Sequence, residues 1–132
     1  MAGSKSDYFE NELLDWACGN ASDIGTPNTA YCALFTVAPT DSTAGTEVTG
    51  GSYAREDVSS SFGAAAAGAI ANDTAITFTT ATASWGTVVA FAIMDAVSGG
   101  NILYWGDVTP NKSVGDGDTA EFAIGDIDIT ED

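Results

Sequence analysis

The sequence predicts an all-β fold: a small antiparallel β-sandwich, jelly-roll-like, with one N-terminal amphipathic helix. Three observations predict it. Ala81–Asp107, ATASWGTVVAFAIMDAVSGGNILYWGD, reads as two long apolar strands joined by a Gly-Gly turn. Short runs of period-two alternation recur along the chain, separated by turn residues. No helix of crossover length intervenes between them, so the alternating rhythm of a parallel sheet is missing. At 132 residues the chain is expected to be one domain, 1–132, with a helix at about 7–18 and strands within 30–130.

Taken in order, Asp7 and Glu10 read as a helix start, the first as N-cap and the second returning the capping bond. Phe9, Leu13 and Trp16 recur at helical spacing with Leu14 and Ala17, and Gly19 ends the run. Such a helix is expected to lie on the sheet or cover its open edge. Asn20–Thr29, polar and carrying Pro27, reads as a loop. Ala30–Ala38 is a strand with Tyr31, Ala33, Phe35 and Val37 on one face. Pro39–Tyr53 is a loop long enough to be functional or mobile rather than filler. Asp57–Phe62 suggests a short strand, and Gly63–Asn72, rich in Ala and Gly, an irregular or extended segment.

Thr74–Thr80 alternates cleanly, with Ile76 and Phe78 inward and Thr77 and Thr79 outward. In the hairpin, Val88, Ala90, Ala92 and Met94 share one face and Val89, Phe91 and Ile93 the other. A strand apolar on both faces is normally covered on both. Thr109–Asp118 reads as a turn region, and Thr119–Ile124 as a strand with Ala120, Phe122 and Ile124 together. At Gly125 the parity flips toward Ile127 and Ile129, which predicts a bulge.

Composition excludes whole classes of function. Nineteen Asp and Glu face three Lys and Arg, giving −16 with no His. A chain without a basic footprint does not neutralise phosphates, which argues against nucleic acid and anionic membranes alike. Asp outnumbers Glu thirteen to six. Two readings of the acidity stand: a highly soluble surface, or adaptation to high salt, where screening relieves self-repulsion. No apolar run reaches the ~20 residues of a membrane span. The N-terminus lacks the apolar stretch of a secretory signal, so synthesis in a cytoplasm and a soluble product are expected.

Catalytic candidates fall away in turn. Cys18 and Cys32 do not make a zinc site without further Cys or His, and a nucleophilic Cys has no His partner. They read as two buried thiols or as a disulfide. Asp116-Gly-Asp118 and Asp126-Ile-Asp128 are the carboxylate clusters with ligand-like spacing, for calcium or as acidic turns. Gly50-Gly51 and Gly99-Gly100 are turns rather than phosphate loops, since no Gly-Lys-Ser/Thr follows. Arg55 and two Lys are too few for an anion site, and Arg55 is expected to pair with a carboxylate. Trp16, Trp85 and Trp105 read as core residues, with sugar binding or subunit contact as alternatives. Trp85 and Trp105, at the outer ends of the hairpin strands, are expected to meet as a cross-strand pair. No catalytic, cofactor or metal residue is assigned, and no enzyme activity is expected.

Several segments resemble a family of small tailed-phage structural proteins, usually described as phage tail fibre proteins. They are Glu12-Leu13-Leu14, Tyr31–Phe35 running into Ala38–Asp41, Gly45–Arg55, Ile76–Thr80, Ala81–Val89, Gly99–Gly106, Gly117–Thr119 and Phe122–Gly125. The departures are the high acidity and Glu56, where the family tends to carry an uncharged polar residue. The resemblance implies a non-enzymatic virion protein, on capsid or tail, acting through contacts with its own copies and other virion proteins. A module binding host-surface glycan or protein is the alternative. Pro39–Tyr53 and Gly63–Ala71 are the segments that would dock against neighbours.

Overall fold

The computed structural model describes residues 3–21, 23–24 and 29–131. Within the Asn20–Thr29 loop, residues 22 and 25–28, Pro27 among them, lie outside the described residues. The elements are β1 (Ser4–Lys5), α1 (Asp7–Ala17), β2 (Tyr31–Val37), β3 (Thr46–Glu47), β4 (Glu56–Asp57), β5 (Ala69–Ala71), β6 (Ile76–Thr77), β7 (Gly86–Met94), β8 (Ile102–Val114), β9 (Glu121–Phe122) and β10 (Asp128–Thr130). An antiparallel sheet in the order β1-β8-β7-β2-β3, with β4 also paired to β2, forms one layer. Two ribbons, β10-β5 and β6-β9, form the other. The molecule is thus a small all-β sandwich with an N-terminal helix.

The β7–β8 hairpin is its centre, and both faces of β7 are covered. Phe91 and Ile93 point into the inter-layer core with Leu34, Ile76, Phe78, Phe122, Ile127 and Ile129. Phe91 and Phe122 meet edge-to-face across the layers with ring centroids 5.8 Å apart. Ala90, Ala92 and Met94 pack with Ala33 and Phe35 on the opposite face. Val88 and Val89 exchange the faces expected for them: Val88 lies in the inter-layer core and Val89 against the second cluster. The reason is a register shift. Val88 pairs with Lys112 but Ala90 with Asp107, so the extra residues of β8 bulge out and reverse the parity.

That bulge also corrects the end of the hairpin. Thr109–Val114 is strand rather than turn: β8 continues through Pro110, and the turn is confined to Gly115–Asp118. Because Pro110 sits in the unpaired bulge, its missing N–H breaks no ladder bond. Near Gly125 the expected single bulged strand is instead two strands, β9 on β6 and β10 on β5, separated by a turn in which the Asp126 amide donates to Ala123. Ile124 therefore does not share the Phe122 face and is exposed. The expected Asp57–Phe62 strand reduces to β4 and a single bridge from Phe62 to Asn72.

Asn72 is the buried polar residue that locks the C-terminal turn. Its side chain donates to the carbonyls of Thr74 (2.9 Å) and Ala123 (3.0 Å) and accepts from the Ile127 amide (3.0 Å). All its side-chain valences but one acceptor site are used, so burial costs little.

The helix departs most from expectation. Its N-cap is Ser6, whose hydroxyl accepts from the Phe9 amide at 3.3 Å, one residue ahead of Asp7. The hydroxyl also donates to the Ile102 carbonyl, which fixes the cap to β8. Phe9 packs edge-to-face on Tyr104, with centroids 5.3 Å apart. None of the helix residues is buried, and Leu14 and Trp16 are 64% and 60% exposed. The edge of the sheet at Tyr104–Trp105 is covered by β1. Lys5 and Tyr104 both bond Glu131 and so tie the first strand to the last residues.

Candidate functional site

The residues of the Gly45–Arg55 segment and the Gly99-Gly100 turn meet at one place beside β2. Glu47, on β3, lies opposite Phe35 of β2. Arg55, just ahead of β4, returns to it. The Arg55 Nε donates to Glu47 Oε1 and Nη2 to Oε2, both at 2.8 Å, in the parallel fork that guanidinium and carboxylate favour. Nη1 donates to the carbonyls of Ala96 (2.7 Å) and Gly99 (2.8 Å). The expected carboxylate partner of Arg55 is thus Glu47, and the side chain also holds the β7–β8 loop from beneath.

Tyr53 closes the hub. Its hydroxyl donates to Glu47 Oε1 at 2.8 Å and accepts from the Leu34 amide at 3.0 Å. Burial pushes the Glu47 carboxyl up, but the bonds from Arg55 and Tyr53 outweigh it and the carboxyl sits below its ordinary range. Arg55 is shifted up, first by its hydrogen bonds to Glu47 and against its own desolvation. Tyr53 is raised far above a free phenol by burial, helped by the neighbouring Glu47 carboxylate. A neutral phenol between a carboxylate and a backbone amide is a positioning group rather than an acid or base.

The glycines serve the same hub. Gly51 has φ +56°, and a Cβ there would stand 2.8 Å from the Ala83 carbonyl and 2.9 Å from the Trp85 ring. Its own carbonyl accepts the Trp85 indole N–H at 2.9 Å. Gly100 has φ +72° and would place a Cβ 2.4 Å from Asp95 Oδ1, the oxygen that accepts the Asn101 amide at 2.6 Å. Both Gly-Gly pairs are therefore turns, with positive φ at all four glycines and with Gly51 and Gly100 crowded as well by their neighbours.

The three tryptophans separate. Trp85 is buried in the inter-layer core, edge-to-face with Tyr53 at 5.3 Å. Trp105, across from Ala92, packs on the opposite face, where its indole donates to Asp41 at 3.1 Å and pins the Pro39–Gly45 loop down. The expected cross-strand pair does not form, because β8 runs on to Val114 and the Trp85 amide bonds there instead. Trp16 is exposed rather than core.

Both cysteines are free: Cys32 is buried, with its thiol pushed up by desolvation, and Cys18 is exposed. Asp118 and Asp126 cap their own turns by accepting from the Gly115 (2.8 Å) and Ala123 (2.9 Å) amides. No group of three or more His, Cys, Asp or Glu among the described residues is placed to hold a metal ion. No helix of the described residues is long and apolar enough to cross a membrane.

One concave surface adjoins the hub and another is lined by none of its residues. The first, of about 420 Å³, opens over Phe35 and Met94 between the 40–45 loop, Tyr8 and the Gly99–Ile102 turn, with Arg55 in its wall. The Arg55 donors are turned into the protein, so this hollow presents no anion receptor. The other, of about 540 Å³, lies between β8 and β9. What the hub does is hold loops. Tyr53 and Glu47 are not visible when residues are read singly; the signal that points to them is the lone Arg in a chain of nineteen acids, which demands a specific partner.

Residues 4–130 match the profile of the family described as Podophage GP4 fiber I protein gp80. No curated protein matches the chain. The chain belongs to this phage tail fibre family, in keeping with the resemblance carried by the Gly45–Arg55 and Gly99–Gly106 segments, and is a tailed-phage structural component of the virion.

Proposed function

We propose that this member of the podophage fibre family is a non-enzymatic, tail-associated building block that acts only through its surfaces. The observation that carries this reading is the Arg55–Glu47–Tyr53 hub: the charged residues of the Gly45–Arg55 segment bond one another and fix two loops and a strand end. A fibre component needs a rigid frame and surfaces that meet neighbours, and the hub supports the first of these. In the assembly it meets other virion proteins and copies of itself in a closed symmetric group. The exposed apolar Leu14 and Trp16 of α1 and Val97 of the β7–β8 loop supply contacts of the kind such groups bury.

The acidity sets the conditions. Copies carrying −16 repel, and the repulsion is screened within about 3 Å at molar salt, so assembly belongs to a high-salt or marine setting. Light scattering in 1 M and 0.05 M NaCl, together with gold labelling of intact particles, tests the proposal. The expected result is an oligomer at high salt that dissociates at low salt, and label on the tail. A monomer at both concentrations that binds host glycans, with no label on particles, would instead identify a host-surface binding module.

A further inference from the structure

We propose that the cleft between β8 and β9 receives an extended segment of another virion protein, which adds as a strand; this rests on the virion role proposed above. One wall is β8 and the other is the edge of β9, along which the strand is added. Along Tyr104–Trp105 β8 is paired on both sides, to β7 and β1; beyond it Gly106–Asp107 and Lys112–Val114 pair among the described residues with β7 alone, and the bulge with Pro110 between them forms a wall rather than a ladder. On the other wall β9 pairs only with β6 among the described residues. The Ala120 carbonyl accepts from the Phe78 amide, so in an antiparallel ladder the alternate residue Glu121 turns its own N–H and C=O away from β6. Edges of this kind are the template on which β-augmentation works.

Between the walls the floor is apolar: Leu34, Val88, Val108 and Phe122 line the base of the 540 Å³ space. That is room for a few side chains, which an added strand would point inward at every second residue. The rim is acidic, with Asp118, Glu121 and Asp126 against one cation, Lys112. A segment of alternating apolar residues flanked by Lys or Arg is the complement. A second copy of this chain is not: of its three cations, Lys5 is held by Glu131 and Arg55 by Glu47. The occupant is therefore a basic strand from a different virion protein.

Two substitutions attack the cleft without touching the hub. Glu121→Pro removes the outward N–H of β9 at a position where proline is tolerated on an edge; it keeps the backbone ladder to β6 and loses the bond from the Thr77 hydroxyl to the Glu121 carboxylate, which Glu121→Gln retains as a control. Ala120→Trp fills the space. Purified full-length chain is added to phage particles made without it and co-sedimented, with thermal melts as the folding control. Wild type should sediment with particles and both variants at least tenfold less. Hydrogen exchange on wild type needs no variant: the Glu121 amide should slow on particle binding. Variants that bind as well as wild type, or an unchanged Glu121 amide in bound chain, would overturn the cleft while leaving the virion role intact. A wild type that never binds particles would overturn both. Variants that turn an oligomer into a monomer would show a second copy in the cleft and refute the basic partner.

Discussion

Arg55 is the residue that ties the loops of this fold together. Its guanidinium makes four hydrogen bonds, two to one carboxylate and two to carbonyls of a loop more than forty residues away. Lysine offers a point charge on a flexible stem and reaches at most part of that set. Arg55→Lys should cost about 2 kcal/mol and Arg55→Met about 3, since the latter strands the partly buried Glu47 carboxylate; urea unfolding monitored by tryptophan fluorescence measures both. The same group sets an acid dependence. Because the folded Glu47 carboxyl lies below its ordinary value, its contribution is whole above the unfolded carboxylate range and is lost as pH falls through the depressed value. Wild type should therefore lose more stability than Glu47→Gln between about pH 5 and 3, around the reference carboxylate value near 4.3. Equal losses in the two proteins would show that the pair is not coupled to folding.

At the scale of elements, legibility follows periodicity. The β7–β8 hairpin, β2 and the Ile76–Phe78 alternation are readable because period-two burial leaves a direct trace in the sequence. The bulge in β8 is not, since Thr109-Pro-Asn-Lys reads as a turn to any rule based on turn residues. Only the pairing of Lys112–Val114 with Gly86–Val88 carries the strand through it. The helix misleads in the opposite way: Phe9, Leu13 and Trp16 have core spacing, yet Phe9 alone meets an aromatic partner and Trp16 faces out. Ser6 over Asp7 as the cap is invisible in the sequence because both are good caps and the choice is made by the Ile102 carbonyl. The hub, too, is a long-range fact, with Ala96 and Gly99 brought to Arg55 by the sheet. Turn chemistry at this scale gives a paired test. Gly50 (φ +76°) has no atom within 4 Å of a built Cβ, whereas Gly51 is crowded by Ala83 and Trp85. Gly50→Ala should cost about 1 kcal/mol, from the left-handed backbone alone, and Gly51→Ala at least about 2. Differential scanning calorimetry separates them, and equal shifts in Tm would show that Trp85 packing does not constrain the turn.

For the whole molecule, charge is what the fold leaves unneutralised. Nineteen carboxylates on a 132-residue frame raise the energy of the compact state at low ionic strength. Raising NaCl from 0.05 to 1 M should increase Tm by about 5 °C or more, the equivalent of roughly 1 kcal/mol for a small domain. A flat profile would make the acidity a matter of solubility alone. The most direct test of the central claim, that this is a tail-associated structural unit, is a cryo-electron reconstruction of the intact tail. The predicted result is density for the six-stranded sheet and its two ribbons at a tail appendage, in copies related by the tail symmetry. Purified tails without this chain, or its density confined to the capsid, would contradict it.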